Sequence, residues 1–277
     1  MYYVLLFLEN GIGILVLVAC GDNENAGRPV PVRRYLVKPD ITMEGHELPA
    51  EEKALITHEL LNQEYKPLKL EPRRSHMHEL ISTMLSHRTN HKDEEKAFYT
   101  MMERFGDWEG VMNAPFDDLA DAISTTRYPG QKVPQIQQAL RMIKEERGEF
   151  TIDFLEELPQ EEAVNWLTKL PGVGLKTATL VLLFNFKKPV LPVDTHVFRV
   201  TQRVGIIGAK VTANKAHEIL LGMFPKDAVV LFNFHKHLLK HGQRVCTWSY
   251  PRCEKCVLNG ICNYYHDVRE KGIDKVA

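Results

Sequence analysis

From about Leu48 onward, apolar positions recur at the three-and-four spacing that sets one face of a helix against a core. The stretch "AEEKALITHELLNQ" places Leu55, Ile56 and Leu60 on one stripe and opens with acidic residues, which suit the positive end of a helix. The same spacing returns in "HMHELISTMLS", "DEEKAFYTMMERF", "FDDLADAIS" and "KVPQIQQALRMIKEE", with Pro or Gly between several of them. No stretch after residue 45 alternates strictly enough to demand a strand, and there is no internal repeat or low-complexity run. The pattern predicts an all-α fold.

The first 45 residues follow a different rule. "MYYVLLFLENGIGILVLVAC" has the length of a membrane span or signal peptide, but no Lys or Arg precedes the apolar run, and Glu9 and Asn10 interrupt it. Two apolar, strand-forming runs flank Asn10-Gly11, a dipeptide suited to a tight turn, so a β-hairpin is the better fit. "LVAC" before Gly21 also resembles a lipoprotein cleavage site, and Met43 offers an alternative start. Residues 1–45 are therefore set apart as an N-terminal appendage of unassigned role.

One connection between helices is unusual. "EEAVNWLTKL", apolar at Ala163, Val164 and Leu167, and "KTATLVLLF" are both helical, so "LPGVG" from Leu170 to Gly174 is a tight turn between them, a helix-hairpin-helix. Gly172 and Gly174 can take backbone angles closed to other residues, and without side chains they let N–H groups approach an anion. The next helix starts there, so its unpaired N–H groups and the positive end of its dipole face the same anion. A phosphodiester fits, although an ordinary glycine-rich link has the same composition. Lys176 sits in the first turn of that helix, where the dipole disfavours a cation. An amine that must lose its proton and attack carbon gains from such a place, whereas a solvated surface lysine gains nothing.

Asp194, in "PVLPVDTHVFRVTQRVG", precedes a stripe of Val197, Val200 and Val204. It is expected to be an N-cap, and a carboxylate held rigidly by capping can also accept a proton or face developing positive charge.

Charge and cysteine usage narrow the chemistry. With 277 residues, 44% hydrophobic content and a formal net charge of −1, the chain can bury a large core and carries no global basic field, so any polyanion must meet a local patch. Of five cysteines, Cys20 stands alone, while Cys246, Cys253, Cys256 and Cys262 fall as C-x6-C-x2-C-x5-C in one short stretch. Four thiolates in one compact loop suit an iron–sulfur cubane better than zinc, which more often takes two C-x2-C pairs, and better than disulfides.

"LPGVGLKTA", "LPVDTHVFRV", the "HG" before the first cysteine and the four-cysteine spacing together resemble the endonuclease III family of DNA glycosylases, over roughly residues 48–268. The resemblance implies two α-helical lobes with a DNA cleft between them. One is a six-helix domain at 69–188; the other is an iron–sulfur cluster domain built from 46–68 and 189–277. It also implies a bifunctional glycosylase and abasic-site lyase of base excision repair that excises oxidised pyrimidines, acting as a monomer in the cytoplasm on double-stranded DNA with damaged bases or abasic sites, with no membrane partner. Lys176 would attack C1′ of a flipped-out nucleotide with help from Asp194, and β-elimination would then cut the strand. The four cysteines would hold a 4Fe-4S cluster, and the DNA contacts would fall at Leu170, Gly172, Val173, Gly174, His87, Arg88, Tyr128 and Arg252.

Three segments depart from the family pattern. His87-Arg88 stands where a neutral glutamine-like group usually fills the gap left by the flipped nucleotide, bringing a charge. "RYPGQKVPQI", with Tyr128-Pro129-Gly130, replaces a loop that offers a wedge residue followed by Tyr and a Lys-Ala pair. Between Cys246 and Cys253 a usually basic segment holds Trp248, Tyr250 and only Arg252. These changes predict weaker insertion into DNA, which harms reactions that require base flipping more than those that begin at an abasic site. A monofunctional mismatch glycosylase and a non-catalytic iron–sulfur DNA-binding protein remain as alternatives; the former usually lacks a lysine at the position of Lys176.

Overall fold

The computed structural model describes residues 48–270, with side chains through 267, and three strands near the N-terminus: Leu6–Leu8 (β1), Gly11–Leu17 (β2) and Arg34–Val37 (β3). The strands form one antiparallel sheet in which Leu8 pairs with Gly11 and Leu17 with Arg34. The expected hairpin is present, but Gly11 pairs with Leu8 as the first residue of β2, and Asn10 lies outside the described residues. The third strand has no clear signal in the sequence. Cys20, Gly21 and Met43 lie outside the described residues.

Residues 48–270 contain no strand. Their helices are α1 (Ala50–Tyr65), α2 (His76–Leu85), α3 (His91–Phe105), α4 (Trp108–Asn113), α5 (Phe116–Ala122), α6 (Pro129–Arg147), α7 (Gln160–Thr168), α8 (Leu175–Phe186), α9 (Thr195–Val204), α10 (Ala213–Gly222), α11 (Ala228–Arg244) and α12 (Asn263–Glu270). Among the described residues, no helix is long and apolar enough to cross a membrane. The span 69–188 holds α2 to α8, counting the six-residue α4 as a helix of its own. There α2 packs on α3, α6 and α8, α7 packs on α8, and α4 and α5 pack on α6. A second group forms where α9 and α1 pack on α11 and α12 packs on α9; α8 meets α11 where the two groups join.

Two elements differ from the reading of the sequence. In α1 the buried face is Lys53, Ala54, Thr57, His58 and Leu61, while Leu55, Ile56 and Leu60 are only half-buried. Polar residues can occupy that face because distant partners satisfy some of them: Lys53 Nζ donates to the Val204 carbonyl at 3.2 Å and to Asn263 Oδ1, and Asn62 Nδ2 donates to His58 Nε2 at 3.0 Å. In α6 the helix begins at Pro129, so Pro129-Gly130-Gln131 is its first turn and not a loop. Proline suits the first helical position, where its missing N–H is no loss.

Candidate active site

The hairpin expected between α7 and α8 is formed, and only one of its glycines is required by its backbone angle. Gly172 has φ +78°, and a Cβ there would lie 2.8 Å from Gln135 Oε1, so neither angle nor space admits a side chain. Gly174 is extended (φ −89°, ψ 178°), a conformation open to any residue, so of the two glycines only Gly172 uses the angles that glycine alone takes freely. Its value lies elsewhere: it is the exposed N-cap of α8, faces open space and brings no side chain to satisfy the helix start. Leu170 and Val173 turn their side chains into the core, at 3% and 4% exposure, so the hairpin presents backbone to solvent. Among the described residues the N–H groups of Gly172, Gly174, Leu175, Lys176 and Thr177 have no hydrogen-bond partner. These open N–H groups sit at the positive end of α8, the kind of helix start that can receive an anion.

Lys176 follows on α8, half-buried. Burial depresses its pKa below the usual lysine range, and the carboxylates of Asp194 and Glu79 oppose that shift without reversing it. No hydrogen bond or ion pair holds its amine among the described residues. Asp194 caps α9 as expected: its Oδ1 accepts the N–H of His196 at 2.9 Å and of Val197 at 2.7 Å. Both bonds land on one oxygen, which leaves Oδ2 out of the cap. The loop leading to Asp194 is fixed from below, where His217 Nδ1 and His235 Nδ1 donate to the carbonyls of Leu191 and Pro192, each at 2.9 Å. Burial pushes the His235 imidazole down to about 4, so it serves as a neutral prop near the Lys176 and Asp194 charges.

Glu79, on α2, is a site residue the sequence reading missed. Burial raises its carboxyl pKa while Arg74 pulls it back, and its charge in turn acts on Lys176. The available signal was a polar residue three positions before the buried Ser82 on a helix whose other faces are apolar.

The expectation for His87 needs correction. His87 Nε2 shares a 2.9 Å hydrogen bond with Thr177 Oγ1, and burial, followed by the charges of Lys176 and Lys132, pushes its pKa down to about 4. It is thus a neutral strut between the turn after α2 and α8, and the charge of the His87-Arg88 pair is carried by Arg88 alone. Arg88 is exposed, as is Tyr128 at 53%, and the Arg88 guanidinium carbon lies 6.0 Å from the Tyr128 ring centroid. Arg252 lies apart from them, exposed in the loop between Cys246 and Cys253, where its N–H donates to the Val245 carbonyl at 2.9 Å.

The four C-terminal cysteines are free thiols that line one cavity, with Cys262 buried and the others half-buried. Among the described residues no three His, Cys, Asp or Glu side chains converge as a single-ion site. Two of the sulfurs meet donors: Arg203 Nη1 reaches Cys246 Sγ at 3.4 Å, the Leu258 N–H reaches Cys256 Sγ at 3.4 Å, and His241 Nε2 lies 3.3 Å from Cys256 Sγ, whereas the Cys262 thiol donates to the Arg203 carbonyl at 3.4 Å. Burial pushes the Cys256 thiol up to about 12 and the Cys262 thiol up to about 11, with the neighbouring cysteines adding to the shift. Four thiols held this close make a donor set suited to a cation, which would favour their thiolate forms.

Comparison with known proteins agrees with this geometry. Residues 81–226 match the HhH-GPD superfamily base excision DNA repair protein family. Endonuclease III of Thermotoga maritima is 37% identical over 186 residues, covering 67% of this chain and 82% of that protein. Endonuclease III of Haemophilus influenzae is 30% identical over 190 residues, covering 68% and 84%. Among solved structures, a trapped endonuclease III–DNA covalent intermediate superposes with a TM-score of 0.68 at 23% identity, over 80% of this chain and 99% of that one. A thermostable thymine-DNA glycosylase gives 0.64 at 20% identity, over 78% and 98%. The hairpin with its buried lysine, the capped aspartate and the matched sequence lead to one assignment: the chain belongs to the endonuclease III family of the HhH-GPD superfamily.

Proposed function

We propose that this member of the endonuclease III family excises oxidised pyrimidines through Lys176, with Asp194 assisting, and cuts abasic sites by β-elimination. DNA glycosylase and abasic-site lyase activity in base excision repair comes with the family; the residues of this chain supply the roles. The observation that carries them is a half-buried amine with lowered pKa, unpaired, beside a helix start with open N–H groups and within electrostatic reach of a rigid carboxylate. That helix start takes a DNA phosphate. The neutral amine of Lys176 attacks C1′ of the everted nucleotide, the glycosidic bond breaks, and the base leaves with the electron pair and a proton. The departing base takes its proton from solvent; the amine's own proton passes to Asp194 Oδ2, which the cap leaves free, and from there to O4′ as the sugar ring opens to an iminium on lysine. Loss of a C2′ proton then expels the 3′ oxygen with its bonding electrons, and water frees the lysine.

The two helix groups correspond to two lobes, α2 to α8 in one and, in the other, α1 with the helices from α9 onward and the cysteine loop. Arg88 and Tyr128 enter the space the nucleotide leaves, and Arg252 contacts the backbone. Cys246, Cys253, Cys256 and Cys262 would hold a 4Fe-4S cluster; four thiols that line one cavity supply the four thiolates such a cluster takes. Bound there, the cluster supplies cross-linking of the C-terminal loop, and no step of the reaction passes through it.

Borohydride trapping on two duplexes, one with thymine glycol and one with an abasic site, tests the reading. A covalent adduct on both that maps to Lys176 is expected. An adduct on neither favours the non-catalytic or monofunctional alternatives, and one on the abasic duplex alone removes the oxidised-pyrimidine assignment.

A further inference from the structure

Arg88 and Tyr128 share a property unusual for residues with side chains: both have left-handed backbones, with φ of 54° and 58°. Such conformations cost of order 1 kcal/mol or more each and persist where their surroundings hold them. The two residues come from different segments, Arg88 from the turn after α2 and Tyr128 from the position before α6, yet their side chains meet at the surface.

What holds both is one buried lysine. Lys132, in the second turn of α6, is 5% exposed. Its Nζ donates to the Leu85 carbonyl at 2.5 Å, the His87 carbonyl at 3.1 Å and Thr89 Oγ1 at 3.2 Å. Three N–H bonds thus meet three acceptors, the condition under which an ammonium can be buried. Leu85 is the last residue of α2, so the charge also sits at the negative end of that helix. The backbone N–H of Lys132 donates to the Tyr128 carbonyl at 3.2 Å, and Thr89 Oγ1 accepts the Arg127 N–H at 3.0 Å. The Lys132 side chain is therefore bonded on both sides of Arg88 and reaches the segment before Tyr128 through Thr89 and the Arg127 N–H, while its own N–H makes the first main-chain bond of α6 to the Tyr128 carbonyl. A salt bridge would have served stability alone; here every side-chain bond goes to the turn that carries Arg88.

We propose that Lys132 is a positioning residue for base eversion, clamping Arg88 and Tyr128 into one preformed unit that enters the space a flipped nucleotide vacates. This rests on the reading of Arg88 and Tyr128 as DNA-inserting residues. Without the clamp both residues relax toward ordinary backbone angles, and the order they lose must be restored at each insertion. Lys176 and Asp194 sit on α8 and at the start of α9, outside the clamp, so a step that begins at an abasic site suffers less.

The test is the ratio of single-turnover rates on a thymine glycol duplex and an abasic duplex of the same sequence, for Lys132→Met, Thr89→Val, Arg88→Ala and Tyr128→Ala, with thermal unfolding of each. The expected result is that Arg88→Ala and Tyr128→Ala lower the ratio by about tenfold, that Lys132→Met does the same, and that Thr89→Val, losing one of three acceptors, lowers it by about threefold. If Arg88→Ala and Tyr128→Ala lower the ratio but Lys132→Met leaves it at the wild-type value, the clamp is overturned and the insertion reading stands. If Arg88→Ala and Tyr128→Ala leave the ratio unchanged, the insertion reading falls and the clamp with it. Should Lys132→Met fail to fold, Thr89→Val decides in the same way, an unchanged ratio overturning the clamp.

Discussion

Asp194 accepts the Val197 N–H at 2.7 Å with the same oxygen that accepts the His196 N–H, so one half of the carboxylate builds a helix and the other half is left for chemistry. The two functions can be separated by substitution. Asparagine caps a helix about as well as aspartate but carries no charge and cannot take a proton. Asp194→Asn is expected to keep the wild-type melting temperature and to slow base release by at least ~100-fold, the scale of lost acid–base assistance. Asp194→Ala loses the cap as well, about 1 kcal/mol, or about 2–4 °C for a chain of this size. Equal melting temperatures for Asn and Ala, or an active Asn variant, would contradict this division.

Lys176 sets catalysis against stability. Burial is the largest influence on its pKa and lowers it, so the folded state holds this proton less tightly than the unfolded chain does. The resulting destabilisation is fully present at low pH and shrinks as pH rises toward the usual lysine range, because stability increases with pH wherever the unfolded state binds more protons. Lys176→Gln is therefore expected to raise the melting temperature at pH 7, with the gain narrowing toward pH 10, while strand cleavage and the borohydride adduct disappear. Duplex binding should survive, since the hairpin N–H groups remain. A borohydride adduct in Lys176→Gln would identify another amine as the nucleophile.

The cysteine loop makes a compositional claim that purification can check. Protein expressed under iron-replete, oxygen-poor conditions should be yellow-brown, with iron and acid-labile sulfide in equal amounts. Replacing any one of Cys246, Cys253, Cys256 or Cys262 with Ala should give poorly soluble protein, because metal and fold are coupled and the described loop has only two short 3-10 turns as regular structure. Stoichiometric zinc in such a preparation would rule out the cluster.

Much of this site was legible in the chain because its signals are local. The turn between α7 and α8 is written in "LPGVG", the cap in a carboxylate ahead of Val197, Val200 and Val204, and the thiol ring in cysteine spacing alone. Lys132 and the buried face of α1 were not legible, since what makes a lysine tolerable inside is a partner far away in sequence: 47 positions from Lys132 to Leu85, and 151 from Lys53 to Val204; Glu79 was missed because the charge it acts on, Lys176, lies on another helix. A lysine one turn before the buried Ile136 was the hint that α6 offered. Pro129-Gly130 misled in the other direction. The two commonest loop markers here open a helix, because proline is disfavoured in a helix only once an N–H is needed.

Glu79 supplies the sharpest test of the electrostatics around the nucleophile. Its carboxylate and that of Asp194 both raise the pKa of Lys176, against the larger effect of burial. Removing either charge must lower that pKa further, but Asp194 carries a proposed step in the reaction and Glu79 carries none. Glu79→Gln keeps the shape and leaves an oxygen that can still accept the 3.5 Å hydrogen bond from Thr83 Oγ1. The lyase reaction on an abasic duplex requires no base departure, so its single-turnover rate rises with pH until the amine is neutral and then levels off. In Glu79→Gln the rising limb is expected to move to lower pH, making the variant faster than the wild type on the acidic side and equal to it on the plateau. A limb that stays in place would mean that Glu79 is protonated throughout, in keeping with the burial that raises its own pKa, and a limb that moves to higher pH would show that Lys176 is not the group whose ionisation controls the rate.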